Sequence, residues 1–366
     1  MEDILLNKCS CNANGKNAIN RLWEVYMKLG VIGTGKIVVD ALYAMEPLEE
    51  IKCNAIFARP HSRIKGEELS NKYSIPEVYT DYDELLDKAD VDTVYIGLIN
   101  SVHYEYAKRA LEKDKNVILE KPFAGTYEEA KELVLLAKAR DLFIFEAITV
   151  LHNDVIEKMR ENLPKLGKIR MMMANYSQYS SRYDRYLAGE VDHSFDPDYL
   201  GGALRDINVY NIHYAVSLFG TPKATHYYPN VGFNGIDISG TMIMEYEGFS
   251  AVCTGAKDSD SPGFVIVQGE KGYMRIEGKP NVASNLTIVI TDETKTGIER
   301  DAAGAVIRPV ITEEFVPDQV HHRMTREFSD FARMIGEKDK DVAERYVEET
   351  LEVMKIVDIA SKYVKP

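Results

Sequence analysis

Two short motifs with chemically active residues stand directly after apolar runs of the sequence. Glu120-Lys121-Pro122 closes the run at 116–119, and Gly33-Thr34-Gly35 closes the run at 29–32. A glycine-rich turn alone supports a ligand site only weakly, because glycines also end strands for conformational reasons. A lysine, however, is rarely buried without a purpose. Together the two motifs predict a bound nucleotide with the Lys121 ammonium beside its reactive ring.

The elements that must position these motifs are short apolar runs alternating with helical patterns. This alternation predicts a doubly wound Rossmann-type α/β domain with a mainly parallel sheet, over residues 27–150. Ligands in such sheets bind at the carboxyl ends of the strands, where Gly33, Arg59, Asn100 and Lys121 all fall. The predicted strands are 29–32, 51–58, 93–98, 116–119 and 142–145, and the predicted helices are 36–45, 62–73, 81–88, 101–113 and 126–140.

The first turn has the features of a phosphate-binding loop. Gly33 permits a tight turn, and Gly35 lets the backbone approach a pyrophosphate at the N-terminus of the next helix. The third position of the fingerprint is Val38 instead of the usual glycine or alanine. We therefore expect helix 36–45 to stand slightly off the sheet, with its phosphate-binding end retained.

The turn after the second strand bears on the choice of cofactor. It has no Asp or Glu to grip a ribose 2′-hydroxyl, but it offers Arg59 and Arg63 with His61 and Ser62 between them. Guanidinium groups suit a 2′-phosphate through charge-assisted hydrogen bonds, so the sequence favours NADP, with NAD possible. The alternative is that one or both arginines are solvated surface charges.

Several motifs together resemble the Gfo/Idh/MocA oxidoreductases, over residues 28–362. They are Gly33-Thr34-Gly35, Asn100-Ser101-Val102-His103, Glu120-Lys121-Pro122, Glu146-Ala147 and the segment 201–210. The resemblance implies that the loop around Asn100 lies along the nicotinamide ribose and that the Lys121–Pro122 bond is cis, although this loop lacks the family's proline. His103 could instead cap or pack a helix. The predicted cofactor contacts are Gly33, Thr34, Gly35, Lys36, Ile37, Arg59, Ser62, Arg63, Leu98, Asn100, His103, Glu120 and Lys121.

The resemblance also implies catalytic roles on a predicted helix at 203–219. Asp206 and Tyr210 are four residues apart and share one face of this helix. A tyrosine at position 210 resembles the subgroup that includes dihydrodiol dehydrogenase, in which this residue is the general acid or base. A free tyrosine has a pKa of about 10, so we expect the Lys121 ammonium to lower the pKa of Tyr210. Lys121 is predicted to donate a hydrogen bond to the substrate hydroxyl and Asp206 to accept one.

His213 is a rival for the acid/base role. It follows Tyr210 by about one turn, and its unperturbed pKa of about 6.5 suits proton transfer. Without the upstream motif, Tyr210 would be read as one of 22 tyrosines that pack in the core. The predicted catalytic residues are Lys121, Tyr210 and Asp206, and the predicted substrate contacts are Lys121, Asp206, Tyr210 and His213.

Residues 151–366 are predicted to form a second, strand-rich unit. Strands at 169–177, 238–246, 249–256, 263–269, 273–277 and 286–291 indicate a large open, mainly antiparallel sheet. The resemblance likewise implies a C-terminal α+β domain. Because a bare apolar sheet face is an aggregation liability, we expect a homodimer or homotetramer formed through this sheet. The tyrosine-rich loop at 176–186 either lines a polyol pocket or faces solvent.

Composition limits the partners and the location. The 366 residues carry a formal net charge of -14, which argues against nucleic acid as a partner. No apolar run approaches the roughly 20 residues of a membrane span, and the N-terminus lacks a secretion signal, so we predict a cytoplasmic protein. The four cysteines match neither a disulfide framework nor a zinc pattern, and no metal site is predicted. Met27 is the expected start, which makes 1–26 a non-native leader or a disordered tail.

These observations predict an NADP-dependent oxidoreductase that acts on a secondary hydroxyl of a sugar, cyclic polyol or dihydrodiol. Two alternatives on the same fold stay open. One is a non-catalytic NADP-binding regulator, because a fold alone does not define a function. The other is a redox-neutral glycosidase that uses NAD transiently. The presence of both Lys121 and Tyr210 favours the enzyme.

Overall fold

The computed structural model describes residues 27–295 and 299–364, so the predicted leader at 1–26 and the two cysteines in it lie outside the described residues. The N-terminal strands are β1 (Met27–Ile32), β2 (Ile51–Phe57), β3 (Glu77–Tyr79), β4 (Thr93–Ile96), β5 (Asn116–Glu120) and β6 (Ile144–Ala147). They form one parallel sheet in the order β3-β2-β1-β4-β5-β6. This doubly wound order opens its ligand crevice at the carboxyl ends of β1 and β4. The intervening helices are α1 (Lys36–Met45), α2 (Arg63–Tyr73), α3 (Tyr82–Lys88), α4 (His103–Glu112) and α5 (Tyr127–Ala139).

The C-terminal part is built on a second sheet of eight strands. Its helices are α6 (Asp154–Asn162), α7 (Tyr183–Leu187), α8 (Val209–Phe219), α9 (Thr325–Glu337) and α10 (Lys340–Ser361). Its strands are β7 (Ile169–Ser177), β8 (Ala224–Val231), β9 (Asp237–Tyr246), β10 (Phe249–Ala256), β11 (Phe264–Gly269), β12 (Gly272–Glu277), β13 (Leu286–Thr291) and β16 (Val310–Phe315), with β14 (Glu299–Arg300) and β15 (Val306–Ile307) forming a separate small hairpin. The order is β16-β13-β12-β11-β7-β10-β9-β8, and the β10–β7 pair is parallel while the other pairs of this sheet are antiparallel. The expected fold class is confirmed.

The helices α8 and α10 connect the two sheets. α8 packs on β7 and β10, and α10 contacts α8, α5 and β6. α9 returns to the first sheet, where Phe328 and Phe331 lie in the same core as Tyr95 and Phe145. A division by packing would therefore assign α9 to the N-terminal unit, although it lies in the second half of the chain.

The strands that the sequence analysis missed lie mostly at sheet edges. β8 contains Pro229 and is one edge of the large sheet, which is where a strand tolerates proline. β16 is the opposite edge and is almost entirely exposed, so its pattern does not alternate between buried and exposed residues. β3 is an edge strand of three residues. The helices α6 and α9 were also missed, although each has apolar residues at helical spacing on one buried face.

The prediction that α1 stands off the sheet is wrong. Val38 is fully buried, and a Cβ atom built at Gly97 would lie 2.7 Å from its Cγ2 atom. Close packing of a helix on a strand requires a small residue at the contact. Here that residue is Gly97, directly after β4, instead of a glycine or alanine on α1.

None of the helices in the described part of the chain is long and apolar enough to cross a bilayer. Within residues 27–295 and 299–364, no cluster of three or more His, Cys, Asp or Glu side chains is placed to hold a metal ion.

Candidate active site

The first turn of the parallel sheet forms a cradle for a phosphate. Gly33 has φ +124°, and a Cβ atom there would lie 2.7 Å from the carbonyl oxygen of Gly97. Gly35 precedes α1, and a Cβ atom on it would meet nothing within 4 Å. Gly33 is therefore required by the backbone conformation, and Gly35 leaves open space at the positive, N-terminal end of α1. The residues present fit the pyrophosphate of a dinucleotide.

The residues predicted to bind a 2′-phosphate lie on the surface after the end of β2. Arg59 and Arg63 are exposed, and Ser62 between them is half-buried. The Nε atom of Arg63 lies 2.8 Å from Oε1 of Glu67, one turn further along α2. The guanidinium groups of Arg59 and Arg63 are therefore accessible to a phosphate, since an exposed ion pair such as Arg63–Glu67 is weak and easily exchanged.

Lys121, Asp206 and Tyr210 meet at the carboxyl end of β5. The ammonium of Lys121 donates to the backbone oxygen of Asp206 at 2.7 Å and to its Oδ1 atom at 2.9 Å. It also lies 5.4 Å from the ring centroid of Tyr210. Among the described residues, none forms a hydrogen bond with the Tyr210 hydroxyl. Asp206 lies in a π-helical turn, Leu204–Asn208, that runs into α8 and keeps both side chains on the Lys121 side.

Charge and burial set the protonation of these three groups. Burial alone would lower the pKa of Lys121, but the Asp206 carboxylate and Tyr210 raise it well above its usual value. Burial would raise the pKa of Asp206, but the ammonium groups of Lys121 and Lys257 hold it far below its usual value. Near neutral pH Lys121 is therefore a cation and Asp206 an anion.

The expectation of a lowered pKa for Tyr210 is wrong in direction. Burial of the phenol raises its pKa, and this outweighs the opposing effects of the Lys121 ammonium and the Arg323 guanidinium. The lowering contribution of Lys121 has the predicted sign, but the desolvation of the phenolate is larger.

Three residues important to this cluster were not singled out from the sequence. Lys257 follows β10 and contacts Oδ2 of Asp206 at 2.8 Å. Arg323 lies just before α9 and acts on Tyr210 by charge. Asp237 begins β9, and its Oδ2 atom accepts from the backbone N–H of Leu204 at 2.6 Å and from the Tyr227 hydroxyl at 2.7 Å. Lys257 had the same sequence feature as Lys121, because it is a lysine directly after an apolar strand. Arg323 and Asp237 had no local feature that would have marked them.

Asp237 and a glycine together set the start of the helix that carries the candidate catalytic residues Asp206 and Tyr210. A Cβ atom at Gly202, which has φ +104°, would lie 2.0 Å from Oδ1 of Asp237. The carboxylate thus occupies the space that a side chain at position 202 would need, while its other oxygen caps the turn that carries Asp206.

Two predicted cofactor contacts have buried side chains that are bonded to other parts of the protein. His103 has no exposed surface, and its ring nitrogens lie 3.0 Å from the carbonyl oxygen of Pro122 and 3.1 Å from that of Leu98. The Glu120 carboxylate is buried and accepts from the Tyr95 hydroxyl at 2.8 Å. Their side chains hold the loops of the crevice in place, and cofactor contact at these two positions stays a prediction.

His213 is also not at the site. It is fully buried, and its Nε2 atom lies 3.3 Å from Oε2 of Glu146. α10 packs against α8, and Glu146 on β6 lies beside His213, so the residue one turn beyond Tyr210 faces the interior. The predicted substrate contact, and with it the rival acid/base role, is wrong because the covering elements could not be seen in the helical pattern.

The remaining predicted contacts lie around the crevice. Lys36 is exposed and pairs with Asp40 at 2.7 Å, while Ile37, Thr34 and Leu98 are half-buried. Asn100 donates from Nδ2 to the carbonyl oxygen of Leu200 at 3.0 Å, which links the crevice to the loop before the catalytic helix. The Lys121–Pro122 peptide bond is cis, as expected.

Comparison with known proteins assigns a family to this architecture. Residues 27–147 match the model of the Gfo/Idh/MocA oxidoreductase family with an NAD-binding Rossmann fold, and residues 160–275 match a Gfo/Idh/MocA C-terminal domain. The chain belongs to the Gfo/Idh/MocA family. The resemblance inferred from the motifs is confirmed, and with it an oxidoreductase that has an NAD(P)-binding Rossmann domain.

Relatives within the Gfo/Idh/MocA family include named dehydrogenases. The scyllo-inositol 2-dehydrogenase (NADP(+)) IolU of Bacillus subtilis is 34% identical over 69% of this chain and 76% of its own length. The trans-1,2-dihydrobenzene-1,2-diol dehydrogenase of Xenopus tropicalis is 26% identical over 68% of this chain and 74% of its own. The same fold is seen in KijD10, a 3-ketoreductase from Actinomadura kijaniata solved with NADP and TDP-benzene, with a TM-score of 0.75, 22% identity and coverage of 92% of this chain and 97% of that one.

Proposed function

We propose that this protein is an NADP-dependent dehydrogenase that interconverts a secondary hydroxyl and a carbonyl on a sugar, cyclic polyol or dihydrodiol. The observation that carries the proposal is the meeting of Lys121, Asp206 and Tyr210 at the carboxyl end of β5, beside the phosphate cradle at Gly33 and Gly35. A cation, a carboxylate and a phenol at one point suit a substrate that offers several hydroxyl groups.

The protein's own residues handle the proton and the substrate oxygen. A dinucleotide held by Gly33 and Gly35 would exchange a hydride with the reacting carbon. Tyr210 exchanges the hydroxyl proton, since its own hydroxyl has no other described partner. Lys121 uses two of its N–H groups on Asp206, and no hydrogen-bond acceptor in the described part of the chain takes the third, which donates to the reacting oxygen. Asp206 accepts from a neighbouring substrate hydroxyl.

The raised pKa of Tyr210 gives the two reaction directions different pH dependences. Near neutral pH the phenol is protonated and ready to act as the acid when a carbonyl is reduced. Oxidation needs a phenolate to take up the proton, so its rate should rise with pH up to the alkaline range. The proposal therefore favours reduction as the faster direction near neutral pH.

The preference for NADP rests on charge and on one relative. Arg59 and Arg63 provide two accessible cations at the end of β2, where no acidic residue stands. IolU, the relative at 34% identity, is named as an NADP(+) enzyme. The substrate class rests on the two named relatives, which act on an inositol and on a dihydrodiol.

We also propose that the protein is a cytoplasmic homodimer or homotetramer formed through the large sheet. One face of this sheet is covered by α8. On the other face, Ile243, Val252, Met173 and Ile266 form a cross-strand row of half-buried side chains, with Met171 40% exposed near it. Such a row favours cover by a second copy. A monomer in sedimentation velocity at micromolar concentration would contradict this part of the proposal.

The proposed activity is tested by measuring turnover of the wild type and of two variants, each lacking one tyrosine hydroxyl of α8. The protein would be assayed with inositols, sugars and dihydrodiols, and with the corresponding ketones, using both cofactors. We expect Tyr210→Phe to lower kcat by about 10²-fold or more without weakening cofactor binding. Tyr214→Phe is the matched control, because its buried hydroxyl donates to the carbonyl oxygen of Pro280 at 3.1 Å, away from the cluster.

The outcomes separate the candidate functions. Full activity of Tyr210→Phe would remove Tyr210 from the acid/base role. Tight cofactor binding without turnover of any substrate would favour the regulator. Release of a sugar from a glycoside without net change in reduced cofactor would favour the redox-neutral glycosidase.

A further inference from the structure

Lys257 is a buried cation beside the catalytic carboxylate. It directly follows β10, and only 2% of its surface is exposed. Its backbone is held on both sides, with its N–H donating to the carbonyl oxygen of Ile238 and its carbonyl oxygen accepting from Ser180. Burial of an ammonium is costly unless every N–H group is engaged. The position of Lys257 therefore needs a reason.

Every direction of the Lys257 ammonium is engaged. It lies 2.8 Å from Oδ2 of Asp206, donates to the carbonyl oxygen of Ser194, and lies 4.3 Å from the ring centroid of Phe195. Ser194 and Phe195 belong to the loop that precedes the catalytic helix, and the Ser194 carbonyl also accepts from Gly202. The ammonium is thus held by two oxygen atoms and an aromatic ring of the protein, and we assign it a positioning role instead of a catalytic one.

Asp206 is shared between two lysines. Its Oδ1 atom faces Lys121 at 2.9 Å and its Oδ2 atom faces Lys257 at 2.8 Å. A carboxylate with one cation can turn both oxygens toward it, in the manner of a bidentate pair. With a second cation fixed on the far side, the carboxylate of Asp206 cannot make that turn.

We infer that Lys257 is a positioning residue that holds the Asp206 carboxylate off the third N–H group of Lys121. The inference deepens the proposed function, because that N–H group is the one assigned to the reacting oxygen. Lys257 also changes the charge of the cluster: Lys121 and Asp206 are neutral together, and with Lys257 the three side chains carry one net positive charge beside the Tyr210 phenol. The positioning of Asp206 keeps Lys121 available to the substrate.

A structure of Lys257→Met tests the geometry without reference to any reaction. Methionine has a similar length and packs well on an aromatic ring such as Phe195. We expect the Asp206 carboxylate to rotate so that both oxygens lie within about 3.2 Å of the Lys121 nitrogen. A carboxylate that keeps its wild-type orientation would overturn the inference, whether or not the protein proves to be a dehydrogenase.

A double-mutant cycle tests the functional part. We expect Lys257→Met to lower kcat by about 10-fold or more and to leave the cofactor Kd within about twofold, with Lys257→Arg restoring most of the loss. In an Asp206→Asn background the same substitution should change kcat by less than about twofold, because the carboxylate through which it acts is gone. A similar loss in both backgrounds would show a merely structural lysine and overturn the inference.

Lys271→Met is the control for the loss of a lysine in the same sheet region. Lys271 lies between β11 and β12 and forms an exposed ion pair with Glu293 at 2.7 Å, in a turn at the end of those strands. We expect its kcat to equal that of the wild type. If no substrate is turned over by the wild type, the proposed function fails, while the structure of Lys257→Met still decides the role of Lys257.

Discussion

Replacement of Asp237 by asparagine should change how stability depends on pH. The Asp237 carboxyl group is 3% exposed, and burial raises its pKa from 3.8 to about 6. Its hydrogen bonds from Tyr227 and the Leu204 N–H, and the Lys257 ammonium, oppose this rise without cancelling it. The native state therefore binds a proton that the unfolded chain has already released.

The sign and size of the effect follow from linkage. Between about pH 4 and pH 6 the native state holds more protons than the unfolded state, so this group's contribution to stability falls as the pH rises. The shift of about two units corresponds to about 3 kcal/mol in total. About 1.3 kcal/mol of this is gained when wild-type protein is moved from about pH 7 to about pH 5. Asparagine does not titrate, so the variant lacks this gain.

The assay is urea unfolding of wild type and Asp237→Asn at a series of pH values. The difference in unfolding free energy between the two proteins isolates residue 237 from the other carboxyl groups. We expect that difference to move by about 1.3 kcal/mol in favour of the wild type on going from about pH 7 to about pH 5. Asp301→Asn, in an exposed turn, controls for the loss of one negative charge. Parallel pH curves for wild type and Asp237→Asn would refute the reasoning.

Two further predictions concern the cofactor crevice. Gly33→Ala should lower the unfolding free energy by about 1–3 kcal/mol, because its Cβ atom would lie 2.7 Å from the Gly97 carbonyl oxygen. Gly35→Ala should leave the unfolding free energy within about 0.5 kcal/mol of the wild type, because open space surrounds the added methyl group. It should still weaken cofactor binding, because the methyl group would occupy the space for the phosphate. Thermal unfolding and cofactor titration of both variants would contradict this if the two alanines had the same effects. Arg59→Ala should raise the KM for NADP by about 10-fold and leave that for NAD unchanged in steady-state kinetics, and an equal change for both cofactors would contradict the role of Arg59.

The catalytic cluster shows how far sequence patterns reach. Lys121 was predicted because a charged residue follows an apolar strand. The roles of Asp206 and Tyr210 were implied by the family resemblance, and their spacing added only that they share one helix face. The structure brings these three together. The same helical reasoning placed His213 near the cleft, and there it is wrong, because helical spacing does not say which side of a helix a later helix such as α10 will cover.

Some residues carried no local signal at all. Asp237 caps the catalytic helix from a different strand, and Gly97 supplies the space that the phosphate-binding motif lacks at Val38. In each case the two partners are far apart in the chain and touch only because separate elements pack together. No periodicity within one segment encodes such a contact.

The sequence by itself determined the alternation of strands and helices, the phosphate-binding turn and the candidate Lys121. These features depend on spacing within a few turns or strand ends, where backbone geometry is local. The candidate roles of Asp206 and Tyr210 came from the resemblance of their motif to the family. The tertiary structure alone decided the second cation on Asp206 and the raised pKa of Tyr210. Both depend on burial and on charges that other elements bring near, because desolvation and Coulomb interactions act through space and not along the chain.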